Sequence, residues 1–465
     1  MLHLYPDASR YNTGHVLIDT RMPVVCTSNA RAVGLFHYET TIGSLHAEGK
    51  PDMSRHVAPP HFSSTIRRAG ARHTDWQALL LVLAFLIGGG YLWSYANPAL
   101  IPDAVDQVRA IVGPEAVAQV ETWVFQVQDL TRQALYQTTG TQPALQWAAV
   151  PAAAPRALAA RTVPPVSRAQ SVTSVPALQA PTPASVAPLA PATSLQAPPI
   201  HATLWSPFIA ASDGQPILER AMVAPDPTRP YVETAIVRIN LRATQLHLVA
   251  GTLDPHSAVA MRRPGAIPLV DQRAGYLLAA FNGGFRAIHG SFGMATDGVT
   301  LLPPRDGLAT LALYHDGRVR LGEWGKDLSN TPDLIAFRQN CPLLLNGGTP
   351  TAATQIDDPT IWGKTVKNRV AIWRSGLGLS ADGQYLMYAA GDGLTVPSLA
   401  QALAQAGADR AMQLDINSYW PRFVTYAATS DGTGLVAEKL LTTMVGDERL
   451  FLAPNRRDFF YVTTR

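Results

Sequence analysis

The sequence predicts an α+β domain, built as a mixed, hairpin-rich sheet with a few helices, preceded by one transmembrane helix and a Pro/Ala-rich linker. Short apolar runs separated by Asp-Gly dipeptides predict strands joined by tight turns. One uncharged run of about twenty residues predicts a membrane span. The 465 residues also exceed what a single compact core accommodates, so several regions are expected.

The predicted membrane span covers residues 76–95, which carry no charge and have aromatic residues near both ends. Arg67 and Arg68 precede the span, and Asp103 and Asp106 follow it. The positive-inside rule therefore predicts a single-pass signal anchor with a cytoplasmic N-terminus and an extracytoplasmic C-terminal domain. Residues 1–75 are expected to form a disordered cytoplasmic segment. Residues 1–52 in particular show little periodicity, and a misassigned start, with the true one at Met53, is the alternative for them. A buried core helix is the alternative interpretation of the apolar run.

Two segments separate the predicted span from the C-terminal domain. Residues 103–138 are expected to form a membrane-proximal helical stalk, interrupted at Gly113-Pro114. Apolar residues recur every three or four positions over 117–130, so this stripe could also support self-association. Residues 148–200 consist largely of Ala, Pro, Val, Ser, Thr and Gln, and they predict an extended, semi-rigid linker.

The C-terminal domain is expected over residues 201–465, which hold 24 Lys and Arg against 23 Asp and Glu. This near-neutral balance argues against nucleic-acid binding. Apolar alternation predicts a hairpin over 236–250, and Asp-Gly turns recur at 297, 316 and 382. One helix is predicted between Thr395, as its N-cap, and Gly407. The two cysteines, Cys26 and Cys341, are expected on opposite sides of the membrane and unpaired.

Two Asn-Gly-Gly turns follow strongly apolar runs, at Phe281-Asn-Gly-Gly-Phe285 and Leu345-Asn-Gly-Gly-Thr349. Such runs are typical of strands that are buried on both faces, and a rigid turn at their ends can hold backbone N–H groups in place. Glycine allows close backbone approach to a ligand, and successive N–H groups can bind an anion. An ordinary hairpin turn is the alternative for each copy.

The strongest acid candidates are Asp415 and Asp392. Asp415 ends a predicted buried strand, where a carboxylate can point into a cleft, and Asn417 and Ser418 follow it as candidate donors. Tyr419 and the next residue could stack on a sugar face. Asp392 opens an Asp-Gly-Leu-Thr segment, so a turn or helix-entry role is the alternative for this residue.

Taken in order, several motifs resemble the phosphodiester glycosidase family, in particular its bacterial exopolysaccharide-related branch. The resemblance covers roughly residues 231–455, and it departs from the family pattern at Leu414-Asp-Ile-Asn, where relatives often carry glycines after the aspartate. The motifs that carry it are Phe281-Asn-Gly-Gly-Phe285, Pro304-Arg-Asp-Gly307, Arg338-Gln-Asn-Cys-Pro342, Leu345-Asn-Gly-Gly348, Asn368-Arg-Val-Ala371, Asp382-Gly383, Leu394-Thr395 and Leu414-Asp415.

The resemblance implies hydrolysis of a sugar 1-phosphodiester at its glycosidic bond. It implies phosphate binding by Arg305 and Arg369 and a base or charge-stabilising role for Asp415. It also implies backbone donation from Asn282, Gly283 and Gly284, with Asn346 and Asn417 on sugar hydroxyls.

The expected protein is thus a membrane-anchored extracytoplasmic hydrolase acting on an envelope or exopolysaccharide glycan. The departure at 414–417 keeps a second hypothesis open, a non-catalytic glycan-binding or polysaccharide-assembly protein with the same fold. An esterase is a third hypothesis, which would need a Ser-His-acid geometry around His289. No metal-ligand pattern is present, so no cofactor is expected, and dependence on a divalent cation stays open.

Overall fold

The computed structural model describes residues 105, 107–108, 111, 113–140, 145–148, 205–211, 213–358, 361–362 and 369–465. The predicted N-terminal segment and membrane span, and the predicted linker from residue 149 onward, lie outside these residues. No helix in the described part combines the length with the apolarity that a membrane span requires.

The described part is mostly β-sheet, so the predicted α+β domain contains less helix than expected. Two α-helices have their full length in the described residues, α1 (Pro114–Thr139) and α2 (Val396–Gln405). Three 3-10 turns are short, and they span Ala287–His289, Ala352–Gln355 and Leu450–Leu452.

Three sheets form the domain, and neighbouring strands within each sheet are antiparallel. The hairpin-rich part of the prediction is confirmed, and the mixed sheet is wrong, because tight turns join antiparallel strands. With strands numbered along the chain, the first sheet has the order β1 (Ser206–Ala210), β2 (Pro216–Val223), β3 (Thr234–Asn240), β14 (Tyr385–Leu394), β13 (Ile372–Leu379), β15 (Arg410–Ile416), β11 (Leu343–Asn346) and β12 (Thr349–Pro350).

The other two sheets have five strands each. The second has the order β7 (Val299–Leu302), β6 (Met294–Thr296), β10 (Leu334–Gln339), β8 (Ala309–Tyr314) and β9 (Val319–Glu323). The third has the order β17 (Leu435–Lys439), β16 (Phe423–Ala428), β5 (Leu277–Asn282), β18 (Phe459–Thr464) and β4 (Thr244–Val249).

The central strands of the first sheet, β13, β14 and β15, are buried on both faces. In β14, Leu386 and Tyr388 belong to the core shared with the other sheets, whereas Met387 and Ala389 pack with the residues of α2. This alternation is the period of two that a strand imposes on its side chains. Strands of such a sheet are apolar at consecutive positions, which explains the runs seen in the sequence.

The predicted turns and helix are largely confirmed. The Asp-Gly dipeptides at 297, 316 and 382 join β6 to β7, β8 to β9 and β13 to β14. Thr395 caps α2 through a capping box with Ser398. The predicted hairpin over 236–250 is wrong, because β3 pairs with β2 and β14 in the first sheet while β4 pairs with β18 in the third.

The helix α1 and residues 145–148 contact the domain. Asp129 binds Arg229 at 3.0 Å, and Arg132 binds Asp392 at 2.6 Å. The backbone N–H of Ala148 donates to the carbonyl of Leu440 at 3.1 Å. The sequence did not predict these contacts, which attach the predicted stalk to the sheets.

Candidate active site

A pocket of about 380 Å³ lies where β5 and β15 end. Its lining residues come from four segments, 253–254, 282–286, 415–422 and 445–458. Four arginines and four aspartates are among them. The rest of the lining is largely apolar, so the pocket combines a few charged groups with an apolar wall, as ligand sites commonly do.

Asp415, near the end of β15, is one of three buried aspartates of this pocket, with Asp254 and Asp458. Its Oδ2 lies 2.5 Å from Nη2 of Arg457, and its side chain is only 7% exposed. Burial raises the pKa of Asp415 to about 7, because a charged carboxylate loses its water. Arg457 and Arg338 oppose this rise in pKa, whereas Asp458 and Asp254 add to it. A carboxyl group that titrates near neutral pH is suited to proton transfer.

Arg457 joins the groups around Asp415. Its Nη2 also donates to the carbonyl of Gly284 at 2.9 Å, and its Nε lies 3.5 Å from Oδ2 of Asp254. The guanidinium stacks over the ring of Trp420, 4.5 Å from the ring centroid. Its Nε lacks a hydrogen-bond partner in the described residues, as does Nε of Arg422. The protein therefore leaves part of the donor capacity of both arginines unused.

The first Asn-Gly-Gly turn is built around an internal carboxylate. The backbone N–H of Gly283 donates to the carbonyl of Asp458 at 3.1 Å, and that of Gly284 donates to the Asp458 side chain at 3.3 Å. Arg338 binds the same carboxylate through Nε at 2.8 Å and Nη2 at 3.2 Å. The anion that the turn holds is thus Asp458, so the predicted N–H donors are already engaged within the protein.

Asn282 lines the pocket, but its amide is fully engaged by protein groups. Its Nδ2 donates to the carbonyl of Gly283 and to Oγ of Ser375, each at 3.0 Å. Its Oδ1 accepts from the Tyr388 hydroxyl and the Arg422 backbone N–H, each at 2.9 Å. These four bonds use its whole capacity, so Asn282 has the geometry of a positioning residue that fixes β5 against β14 and the Arg422 segment.

Residues 276–415 match the family model of phosphodiester glycosidases. The match covers less than a third of the chain, and it shows a similarity of this segment to that family. The matched segment begins just before β5 and ends at Asp415 itself, so it includes the Asn282 turn and Arg338.

Two solved structures are similar to the chain. The catalytic domain of zebrafish N-acetylglucosamine-1-phosphodiester alpha-N-acetylglucosaminidase, auto-inhibited by its pro-peptide, is 16% identical, with a TM-score of 0.36 over 54% of this chain and 84% of that chain. A hypothetical protein from Synechocystis is 14% identical, with a TM-score of 0.30 over 54% of this chain and 63% of that chain. No curated protein matches the sequence.

The structure brings together only some of the predicted site residues. Asn282 and Asp415 both line the pocket, whereas Gly283 and Gly284 are not among its lining residues. The Asp415 backbone N–H donates to the Gly283 carbonyl at 3.2 Å. Asn417 adopts a positive φ of 78°, and its Oδ1 accepts from the Tyr419 backbone N–H and the Ser418 hydroxyl, each at 3.4 Å. In the structure Asn417 and Ser418 shape the loop that carries the pocket's aromatic wall.

The other predicted residues lie elsewhere. Asp392, in β14, pairs with Arg132 of α1, and its side chain is about one-third exposed. It is therefore directed toward α1 and is not among the residues that line the pocket. Asn346 is exposed in the β11–β12 hairpin, where Gly347 and Gly348 both have positive φ. The second Asn-Gly-Gly is therefore the ordinary hairpin turn.

The two arginines that were expected to bind phosphate also lie outside the pocket lining. Arg369 is exposed and donates to Oε1 of Gln355 at 3.4 Å. Arg305 is exposed, and its Nη1 donates to the carbonyl of Gly290. Both contacts tie surface loops together. The pocket's own cations are Arg286, Arg422, Arg456 and Arg457.

Three residues of the pocket were not predicted as site residues from the sequence: Arg457, Asp458 and Asp254. Asn455-Arg456-Arg457-Asp458 resembles a solvated charge run, but it stands immediately before the wholly apolar start of β18. Charged residues next to a buried strand were the available signal. In the described part of the chain, no group of three His, Cys, Asp or Glu residues is arranged to hold a metal ion.

Proposed function

We propose that this protein hydrolyses the glycosidic bond of a sugar 1-phosphodiester in the pocket that Asp415 and Arg457 line together. The observation that carries the proposal is the buried Asp415 carboxyl, at the end of the family-matched segment and facing an arginine-lined pocket. The family match supports a glycosidase, and the arginines suit an anionic substrate.

The pocket supplies the chemistry that this reaction needs. Water adds its oxygen to the anomeric carbon while the carbon–oxygen bond to phosphate breaks, and the phosphate leaves with the electron pair. Asp415 accepts the proton of the water, or stabilises the positive charge that develops at the anomeric carbon. A phosphate is a good leaving group, so strong acid assistance is unnecessary, and the cationic groups of Arg286, Arg422 and Arg457 stabilise its charge.

The aromatic wall supports a sugar substrate. Tyr419 and Trp420 both line the pocket, on the loop that directly follows Asp415. Trp420 already stacks with the Arg457 guanidinium. An aromatic face beside a cation suits a phosphorylated sugar, which presents an apolar ring face together with an anion.

The test is turnover of sugar 1-phosphodiesters by the full-length chain, beginning with an N-acetylglucosamine 1-phosphodiester, with free sugar and phosphate monoester both measured. Asp415→Asn should lower the rate by about 10²–10⁴-fold. Asp392→Asn is the matched control and should retain the rate. Parallel reactions with a chelator test cation dependence. Equal rates for wild type and Asp415→Asn, with both folded, would overturn the assignment.

A non-catalytic glycan-binding role is the second candidate, favoured by one observation. Asp415 is already paired with Arg457, so its carboxylate is partly neutralised before any ligand arrives. Saturable binding of a sugar phosphodiester without turnover, weakened by Trp420→Ala, would support this role over hydrolysis.

We further propose that the domain acts outside the cytoplasm on an envelope or exopolysaccharide glycan. The support is the uncharged run at 76–95 with arginines before it and aspartates after it. Fractionation and protease protection in a bacterial host test this proposal. Cleavage of the C-terminal domain by protease added to intact spheroplasts is expected, and complete protection would contradict it.

A further inference from the structure

The helix α1 turns its apolar face away from the domain to which it is attached. Val120 and Trp123 are each 62% exposed, Val127 is 42% exposed and Leu130 is 64% exposed. They follow each other at spacings of three, four and three residues, so they form one stripe along the helix. We call these four residues the outer stripe. Large exposed apolar side chains arranged as a continuous stripe usually mark a binding surface.

The opposite face of α1 is the one that holds the domain. Asp129 and Arg132 form ion pairs with Arg229 and Asp392, and the ring of Tyr136 lies 5.4 Å from that of Tyr231. A surface helix normally buries its apolar face and exposes its polar face. In α1, Phe125 and Tyr136 pack against the domain in this way, and the outer stripe is a second apolar face that burial against the domain does not explain.

We propose that the outer stripe pairs with the same stripe of a second copy of this chain, as a parallel two-stranded coiled coil. The spacing is that of a heptad, with Val120 and Val127 at the first position and Trp123 and Leu130 at the fourth. β-branched residues at the first position with leucine at the fourth favour two parallel strands. The predicted anchor at 76–95 would hold two copies in the same orientation, which a parallel pair requires.

The residues that flank the stripe fit a second copy. Gln119 and Gln126 precede the first-position residues Val120 and Val127, and Thr131 follows Leu130. These flanking side chains carry no charge, so two identical stripes can approach each other without like-charge repulsion. The domain contacts lie on the other side of the helix, and they leave the stripe accessible.

A membrane surface fits the stripe less well. Helices that lie on anionic membranes carry Lys or Arg along their polar face. The helix α1 has three acidic residues and a single arginine, and that arginine, Arg132, is paired with Asp392. The net negative helix would be repelled by an anionic lipid surface.

Cysteine cross-linking of the full-length chain in membranes tests the proposal. In a Cys26→Ser background, with Cys341 buried and unreactive, Val127→Cys places a thiol on the stripe, and Gln128→Cys places one on an adjacent, exposed position of another face. Mild oxidation should convert Val127→Cys to a covalent dimer and leave Gln128→Cys monomeric. Equal dimer yield from both variants, or none from Val127→Cys, would overturn the proposal.

A second measurement follows the uncross-linked chain. Wild type purified in mild detergent should have the mass of a dimer, and Trp123→Gln combined with Leu130→Gln should shift it to a monomer. Both side chains are exposed, so the double variant should keep its thermal unfolding midpoint at monomer concentrations. A monomeric wild type, or a double variant that stays dimeric, contradicts the assignment.

Discussion

Asp415 and Arg457 form a buried ion pair, with 2.5 Å between Oδ2 and Nη2, at the floor of the pocket. Asp415 lies near the end of β15 in the first sheet, and Arg457 lies just before β18 in the third. The pair therefore links two sheets at the point where the substrate is proposed to bind. Substitution of either residue should therefore change both the unfolding free energy of the domain and its activity.

The ion pair is expected to be strongly coupled. Arg457→Gln leaves the Asp415 carboxylate buried without its partner, which should cost about 3–5 kcal/mol of unfolding free energy. Asp415→Asn combined with Arg457→Gln replaces both charges with neutral amides and should recover much of that loss. Urea unfolding of the two single variants and the double variant measures the coupling. Additive losses would show that the two residues act independently.

Asp415 should also make the stability of the domain depend on pH. Its folded pKa is raised to about 7 from an ordinary value of 3.8, so the folded state binds more protons than the unfolded state between these values. The contribution of this carboxyl is fully present below about pH 4 and is lost as the pH rises through about 7. The stability of wild type relative to Asp415→Asn should therefore decrease over this range, as measured by unfolding at each pH.

The rate of catalysis should depend on the ionisation of Asp415 in the opposite direction, rising with pH where the stability contribution of Asp415 falls. If ionised Asp415 accepts the proton, the rate on a sugar 1-phosphodiester should rise as the pH passes through about 7. Arg457→Gln removes the cation that lowers the pKa of Asp415, and it should move this rise to higher pH. If the midpoint of the pH–rate profile is the same in Arg457→Gln as in wild type, a group other than Asp415 is responsible for the titration.

The sequence was a good guide to local structure and a weaker one to the site. Asp-Gly turns and the Thr395 cap are local signals, because the chemistry of two to four neighbouring residues decides them. The predicted hairpin between β3 and β4 does not form, because alternation of apolar residues identifies a strand but not the strand with which it pairs. Asp415 was found because it ends an apolar strand.

Asp458 and Arg457 could not be identified as site residues from the sequence in this way. Pairing of β18 with β5 sets Phe459 opposite Asn282, and this register alone brings Asp458 beside Gly283. The two segments are separated by more than 170 residues, so no local pattern connects them. For the same reason the two Asn-Gly-Gly copies looked equivalent in sequence, although one encloses a buried carboxylate and the other closes a hairpin.

The two glycine turns should respond differently to substitution. A Cβ at Gly283 would lie 2.0 Å from Oδ2 of Asp458, whose carboxylate Arg338 holds in place, so Gly283→Ala should cost about 3 kcal/mol. A Cβ at Gly347 meets nothing within 4 Å, and only its φ of 64° opposes alanine, so Gly347→Ala should cost about 1–2 kcal/mol.

Urea unfolding measures the loss of unfolding free energy in both variants, and turnover measurements distinguish the two variants further. Gly283→Ala should also reduce turnover, because the Gly283 carbonyl accepts from the backbone N–H of Asp415. Gly347→Ala should leave turnover unchanged. Similar losses from the two variants would mean that the first turn does not depend on its contact with Asp458.

The residues that the structure places outside the pocket should be dispensable for catalysis. Asp392→Asn breaks a partly exposed ion pair with Arg132, which should cost no more than about 1 kcal/mol of stability. Arg369→Gln removes a surface contact with Gln355, and its effect on stability should be equally small. Both variants should keep wild-type turnover of a sugar 1-phosphodiester, whereas Asp415→Asn should not. Loss of activity in folded Arg369→Gln would move the phosphate site away from Arg457 and toward the loop that carries Arg369.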